Sequence, residues 1–201
     1  MSGTVIVEGR GKVFADPDTV VIEGEVEFLA DVYDEAVAGC ASSVEAVRES
    51  LVDMGVETGS IRTSGSSVRP NYRDEDLIGY RCCHRMTITL PIGSGVADRA
   101  FSTLSAGGRS SFHMNYIVSD PTPYYSQALS MAVNDARMKA MQLASDAGVE
   151  LGDICEIRYG SDGCRPMIMR AAQMGGGTPE AVEFGESVLM TWSIRRTRGQ
   201  G

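Results

Sequence analysis

The stretch Tyr125–Gly148 reads YSQALSMAVNDARMKAMQLASDAG and predicts a helix of about six turns. Small and apolar residues recur in steps of three and four and would share one face: Ala128, Ala132, Ala136, Ala140, Leu143, Ala144 and Ala147. Because this face is mostly alanine, a sheet or a second helix can approach the backbone closely. Asp120 and Thr122 are candidate N-caps, and Gly148 suits the left-handed residue after the last turn.

Alternating apolar and polar residues on either side of this helix predict β-strands. In residues 4–13, Gly9 and Gly11 indicate a bulge or close packing against a neighbour. Residues 19–29 alternate with Glu23, Glu25 and Glu27 on one solvated face. Further strands are predicted at 56–68, 78–91, 112–118, 153–159 and 187–194, helices at 31–54 and 94–106, and an exposed polar loop at 69–76.

The resulting order, β-β-α-β-β-α-β-α-β-β, predicts an α+β fold of mostly antiparallel sheets with packed helices. A weak pseudo-repeat of strand, helix and strand, at 19–68 and 78–118, predicts two lobes at about 1–77 and 78–201. The C-terminal strand is a candidate to return to the first lobe.

Composition excludes some classes of function. The formal net charge of −9 argues against nucleic acid as a partner. No apolar run approaches the roughly 18 residues that a transmembrane helix requires, so no transmembrane segment is expected. The first residues, MSGTVIVEGRGKV, do not resemble a signal peptide. The sequence as written is therefore predicted to be cytoplasmic, or periplasmic or envelope-bound if an export signal was removed.

Five cysteines without a repeated spacing favour free thiols in a reducing compartment over a disulfide framework. Cys82 and Cys83 are adjacent in a predicted strand, so their side chains should point to opposite faces. If any cysteine responds to oxidants, it should be an exposed thiol with a lowered pKa. The candidate redox thiols are Cys82, Cys83, Cys155 and Cys164.

No constellation of catalytic or metal-binding residues is apparent. His84 and His113 lie in different predicted strands without a partner at metal-ligand spacing, so neither a metal nor a cofactor is expected. Cys82 and His84 share a strand face but lie about 7 Å apart along the backbone. We therefore predict that the protein is not an enzyme and has no catalytic residues.

The methionine-rich stretch at 165–180 is a candidate interaction loop through Met167, Met169 and Met174, because methionine suits adaptable contacts. The alternative is that this stretch is simply a disordered loop.

Four segments together resemble the SIMPL-domain family, the YggE-like proteins. They are VEGRGKVFADPDTVVIEGEVE at 7–27, the pair Ile61–Thr63 and Pro70–Tyr72, the block at 132–157, and VEFGE at 182–186. The order and spacing of these segments extend the resemblance over nearly the whole chain.

The resemblance implies one SIMPL-like unit over 1–201, with two α+β lobes of which one resembles a ferredoxin-like plait. The family has no established catalytic residues to carry over. Its members are commonly exported, and some form large oligomers or are linked to oxidative-stress defence. Taken with the residues, this predicts a non-enzymatic protein that forms a homo-oligomer or binds a protein partner. The alternatives are a thiol-based redox-responsive protein and a module that binds a small ligand between the lobes.

Overall fold

The computed structural model describes residues 3–93, 95–105, 110–160 and 181–196. In chain order, the elements are β1 (Gly3–Ala15), β2 (Thr19–Ala30), α1 (Tyr33–Asp53), a short 3-10 turn (Thr58–Ser60), β3 (Ile61–Arg73), β4 (Asp76–Pro91), α2 (Val96–Ser105), β5 (Ser110–Ile117), α3 (Thr122–Asp146), β6 (Val149–Arg158) and β7 (Val182–Arg196). The predicted order of strands and helices is confirmed, and the fold is α+β.

The chain divides into two compact units. One comprises residues 17–117, and the other combines residues 1–16 with 118–201. The boundary between residues 77 and 78 that the sequence suggested lies instead inside β4, because β4 pairs with β2 and β3 on its two sides.

Residues 17–117 form a four-stranded antiparallel sheet in the order β3-β4-β2-β5, with α1 and α2 on one face. The element order is the β-α-β-β-α-β succession of ferredoxin-like domains; a closer likeness to a ferredoxin-like plait stays a prediction. The core of this unit includes Ile22, Leu51, Met86 and Ile88, all fully buried. Alternation along β2 follows the prediction, since Val20, Ile22 and Val26 are buried while its glutamates stay half-exposed.

The segment 69–76, predicted as a polar loop, is mostly strand. Arg69, Pro70 and Asn71 continue β3 and pair with Arg81, Tyr80 and Gly79 of β4. The loop prediction was wrong because β3 is an edge strand, where exposed polar residues and a proline are tolerated. The turn itself is short: Arg73 pairs with Asp76, and Asp74 adopts the left-handed conformation with φ 55°.

The other unit packs α3 against a three-stranded antiparallel sheet in the order β1-β7-β6. β7 pairs with β1 along its whole length, from Gly3 opposite Ile194 to Ala15 opposite Val182. Val7, Met190 and Trp192 of the sheet are buried against the alanine face of α3.

Two glycines of β1 allow α3 to approach this sheet closely. A Cβ atom on Gly9 would collide with the carbonyl oxygen of Ala132 and lie 2.6 Å from Cβ of Ala136. A Cβ atom on Gly11 would collide with the carbonyl oxygen of Ala128. The close packing predicted for this glycine pair is therefore confirmed.

The buried face of α3 is narrower than predicted. It consists of every fourth residue: Ala128, Ala132, Ala136, Ala140 and Ala144. Leu143 is 50% exposed and Ala147 is also exposed, because the sheet follows the row of every fourth residue and both lie beside it. Asp120 accepts a hydrogen bond from the backbone N–H of Thr122 (3.1 Å), while Thr122 is the first helical residue rather than a cap. Gly148 has φ +63°, as predicted.

Side chains of α3 also bind the backbone of β1, which is an edge strand of its sheet. The backbone N–H of Arg10 donates to the carboxylate of Asp135 (2.9 Å). Nζ of Lys139 donates to the carbonyl oxygen of Glu8 (3.2 Å) and to Asp135 (2.7 Å). Two backbone groups of β1 are thus occupied by side chains of α3, which makes this edge less available for pairing with another strand.

Candidate functional site

The candidate thiols lie in separate surroundings. Cys82 is buried beneath α1, whereas Cys83 points to the opposite, open face of the same sheet, as predicted for adjacent residues of a strand. Cys155 is exposed on β6 in the other unit. Cys164 lies outside the described residues.

Cys83 lies in an open groove of about 530 Å³ on the sheet of residues 17–117. The side chains that line it are mainly charged or polar: Glu25, Glu27, Ser67, Arg69, Pro70, Asn71, Arg81, Cys83 and Arg85. This arrangement follows from the register, which places Glu25 opposite Arg85 and Glu27 opposite Cys83.

Ion pairs already occupy the carboxylates of this groove. Arg85 Nη2 lies 2.6 Å from Glu25 Oε1, and Arg81 Nη1 lies 3.9 Å from Glu27 Oε1. The thiol of Cys83 donates to the same Glu27 oxygen (3.7 Å). Glu25, Glu27 and Cys83 are close enough together to hold a metal ion, but the neighbouring arginines already neutralise the carboxylates.

The surroundings of Cys83 keep its thiol protonated. Burial raises the pKa of Cys83 above its ordinary value, the negative charges of Glu27 and Glu25 raise it further, and Arg81 opposes the rise. Because the thiolate is the nucleophile in reactions with peroxides and disulfides, this environment makes Cys83 a poor redox centre.

Cys82 forms a compact cluster with Cys40 of α1 and His84 of β4. The two sulfur atoms and a ring nitrogen of His84 all lie within 4.8 Å of one another. Cys40 is fully buried, Cys82 is 2% exposed, and the side chain of His84 is half-buried. Burial raises the pKa of the Cys40 thiol to about 12, and the adjacent Cys82 and Cys83 add to the rise.

Sequence reasoning did not select Cys40 as a site residue. Cys40 lies on the buried face of α1 in the structure, and the sequence predicted that Cys82 and His84 share one strand face. The signal that could have joined them is the combination of these two faces, because α1 covers this side of β4. The sequence does not show which residues of α1 pack against which residues of β4.

Beside the row of buried alanines, α3 carries three exposed methionines. Met131, Met138 and Met141 are 47%, 59% and 52% exposed. They are seven and three residues apart in the sequence, and this spacing places them on one side of a helix. Single exposed apolar residues are normal, but three long flexible ones on one side of a helix provide several apolar contact points around the exposed Asn134.

The predicted interaction loop cannot be compared with the structure, because Met167, Met169 and Met174 lie outside the described residues. No helix in the described ranges is both long enough and apolar enough to cross a bilayer.

Comparison with known proteins identifies relatives of this chain. Residues 5–194 match the model of the family described as "SIMPL: Protein of unknown function (DUF541)". This match covers nearly the whole chain, including every described strand and helix at least in part.

Two curated proteins are similar to this chain in sequence. The "26 kDa periplasmic immunogenic protein" of Brucella melitensis is 24% identical over 178 residues, which are 84% of this chain and 71% of that protein. The protein of the same name from Brucella abortus gives the same identity and coverage.

Proposed function

This chain belongs to the SIMPL family, whose function is unknown, and we propose that it acts as a non-enzymatic binding protein that associates with further copies of itself. The observation that carries the proposal is the exposed methionine row on α3, formed by Met131, Met138 and Met141. Methionine side chains are flexible and polarisable, so they pack against apolar surfaces of varied shape.

The charges around this row favour a second copy over a partner with a charged surface of one sign. On α3, the cation of Lys139 and the anion of Asp135 are paired with each other at 2.7 Å, so neither sign dominates this helix. A two-fold contact brings the same patch of both copies together. If that patch carried charges of a single sign, the two copies would repel each other. A mixed surface with an apolar row can therefore pair with itself.

Solution mass measured by light scattering tests this proposal with Met138→Glu. We expect the wild type to form a discrete oligomer with and without reducing agent, and Met138→Glu to have a lower mass because it puts a charge into the contact. Ala46→Glu is the matched control, since Ala46 is an exposed position of α1, and it should keep the wild-type mass. A monomeric wild type, or a Met138→Glu variant with an unchanged mass, would contradict the proposal.

The stretch 165–180 is proposed as a second contact through Met167, Met169 and Met174. Its support is the composition of that stretch. Deletion of residues 165–180 should lower the solution mass further if both surfaces contribute. An unchanged mass would leave α3 as the whole contact.

The redox alternative is supported mainly by the exposure of Cys155 on β6. Cys40 and Cys83 have raised pKa values and are therefore disfavoured as reactive thiols. Thiol titration after mild peroxide would support a redox role if Cys155 were lost first and the solution mass changed with it. Five titratable thiols after treatment would exclude that role. A link to oxidative-stress defence rests on the family resemblance alone.

The alternative of a small ligand bound between the lobes stays a prediction, and the groove around Cys83, which lies within residues 17–117, gives little support to a ligand site of its own. Ligand pockets are mostly apolar with a few converging polar groups, whereas this groove is lined by paired glutamates and arginines. The names of the two relatives support the periplasm or envelope as the location of this protein. Fractionation of cells that express the native gene would test that location.

A further inference from the structure

The cluster of Cys40, Cys82 and His84 combines features that ordinary core packing does not require. Its three potential ligand atoms lie within 4.8 Å of one another. Nδ1 of His84 is buried and has no hydrogen-bond partner in the described part of the protein. Buried polar atoms are normally satisfied, so an unpartnered ring nitrogen on a histidine that adjoins two thiols calls for an explanation.

The apolar shell around the cluster limits the chemistry that it supports. Ala36 is buried against the two cysteines, and Phe28, Ala30, Val68 and Tyr80 pack around them. The thiol of Cys40 donates weakly to the carbonyl oxygen of Val26 (3.8 Å). With few polar groups to hold water or a hydrated ion, any ion in this place must take its coordination from the three side chains themselves.

We propose that Cys40, Cys82 and His84 bind a soft monovalent cation, Cu(I). Thiolate and imidazole ligands suit soft metals such as copper(I) and zinc. Structural zinc sites have four ligands, and no fourth Cys, His, Asp or Glu joins this group among the described residues. Cu(I) accepts three ligands, and its binding releases the protons of both thiols, because a coordinated cysteine is a thiolate.

The location of His84 provides a route for the ion. The two cysteines are sealed beneath α1, but His84 is half-buried and lies next to β3, where Ser66 pairs with it. An ion carried by a soluble chelator can therefore meet the imidazole first and then the thiols after a small local opening. The cluster lies in residues 17–117, apart from α3, so copper binding does not depend on the proposed association through that helix.

Anaerobic titration of the reduced protein with Cu(I), in competition with a chromogenic Cu(I) chelator, tests the proposal. We expect one tightly held ion per chain. Loss of an outer-shell partner of a metal ligand commonly costs about 10–100-fold in affinity, so Cys40→Ala and Cys82→Ala should each weaken binding by about 100-fold or more. Cys83→Ala is the matched control. Cys83 is next to Cys82 in the chain, but its thiol lies on the other side of the sheet, so this variant should bind Cu(I) like the wild type.

Two further measurements keep the test informative if a cysteine variant unfolds. His84→Gln changes a half-buried side chain, so it should fold, as circular dichroism would check, and bind Cu(I) more weakly. X-ray absorption of the copper-loaded wild type should show two sulfur ligands and one nitrogen ligand. The proposal is overturned if Cys83→Ala weakens binding as much as Cys82→Ala, if folded His84→Gln binds normally, if the metal has only sulfur ligands, or if the protein retains Zn²⁺ but not Cu(I).

Discussion

Gly9 and Gly11 set the distance between β1 and α3. Each occupies a position where any side chain atom would meet the backbone of the alanine face of α3. The alanines and glycines act together, since small residues on both surfaces let the helix and the strand come into direct contact. The sequence motif of β1 is therefore explained by packing, and no ligand is needed to account for it.

Gly9→Ala should lower the free energy of unfolding by about 2 kcal/mol, in the range found for overpacked cores. The added methyl group meets backbone atoms of Ala132, which cannot rotate away as a flexible side chain can. Urea denaturation measures the change. Gly185→Ala on β7 is the control, because its Cβ would lie 4.0 Å from the nearest atom, the carbonyl oxygen of Gly11. Equal losses in the two variants would show that the contact with α3 is not the cause, since alanine is itself more favourable than glycine inside a strand.

Asp135 should contribute to stability in a pH-dependent way. Its pKa lies below the ordinary range, first because of the hydrogen bond from Lys139 and then because of the backbone N–H of Arg10. A carboxyl group whose pKa is depressed on folding stabilises the protein fully above its unfolded pKa of about 4, and this contribution is lost as the pH falls through the folded pKa.

Asp135→Ala should therefore cost about 1 kcal/mol at pH 7, a modest value because the ion pair is partly exposed. The difference from the wild type should shrink as the pH falls below about 4. Denaturant titrations at a series of pH values measure it. Asp146→Ala, which removes a hydrogen bond to Gln142 within the same helix, provides the comparison. A constant difference down to pH 2 would contradict this account of Asp135.

The helix α3 carries small side chains where it is buried and larger apolar side chains where it is exposed. The buried face is a row of alanines, and the exposed part of the helix carries Met131, Met138 and Met141. The helix is thus fixed to its sheet by small residues while its larger apolar side chains remain exposed. This division predicts different outcomes for the same charge on each face.

Ala140→Glu should prevent stable folding, because a carboxylate in place of a fully buried methyl group would be unpaired and would cost several kcal/mol. Met138→Glu, two residues earlier and 59% exposed, should leave the thermal midpoint of the protein nearly unchanged. Thermal unfolding followed by circular dichroism compares the two variants. A folded Ala140→Glu variant with wild-type stability would show that the alanine face is not the buried one.

The elements were predictable where a local period was present, and less so where tertiary contacts decide the structure. The alternation of β2 and the four-residue steps of α3 gave the right elements, because each buries one face. β3 was cut short because residues 69–71 lie on an edge strand and have no apolar alternation. The cluster at Cys82 was missed because Cys40 is distant in sequence and reaches it only through the packing of α1.

Each hydrophobic core in the described part of the chain belongs to one of the two units. The cluster around Ile22, Leu51 and Met86 lies entirely within residues 17–117. The cluster around Val7, Ala136 and Trp192 lies entirely in the other unit. The second unit is built from two distant parts of the chain, because β1 must meet β7 and α3 to complete it.

The ends of the segment 17–117 lie side by side. Thr19 pairs with Ile117, and the backbone N–H of Asp18 donates to the carbonyl oxygen of Ile117 (3.1 Å). A segment whose ends are adjacent and whose core is its own has the properties of an inserted domain, and about 100 residues is an ordinary size for one.

Residues 17–117 expressed alone should therefore fold and unfold cooperatively. Circular dichroism and thermal unfolding measure this, and dispersed amide signals in an NMR spectrum would confirm a packed core. Residues 118–201 alone should not fold, because they lack β1, whose Val7 and glycine pair complete the surface that α3 covers. Addition of a peptide of residues 1–16 should restore structure to that fragment by supplying the missing edge strand. If residues 17–117 remained unfolded while the complete chain folded, the two units would have to stabilise each other, and the separation of their cores would not make this one independent.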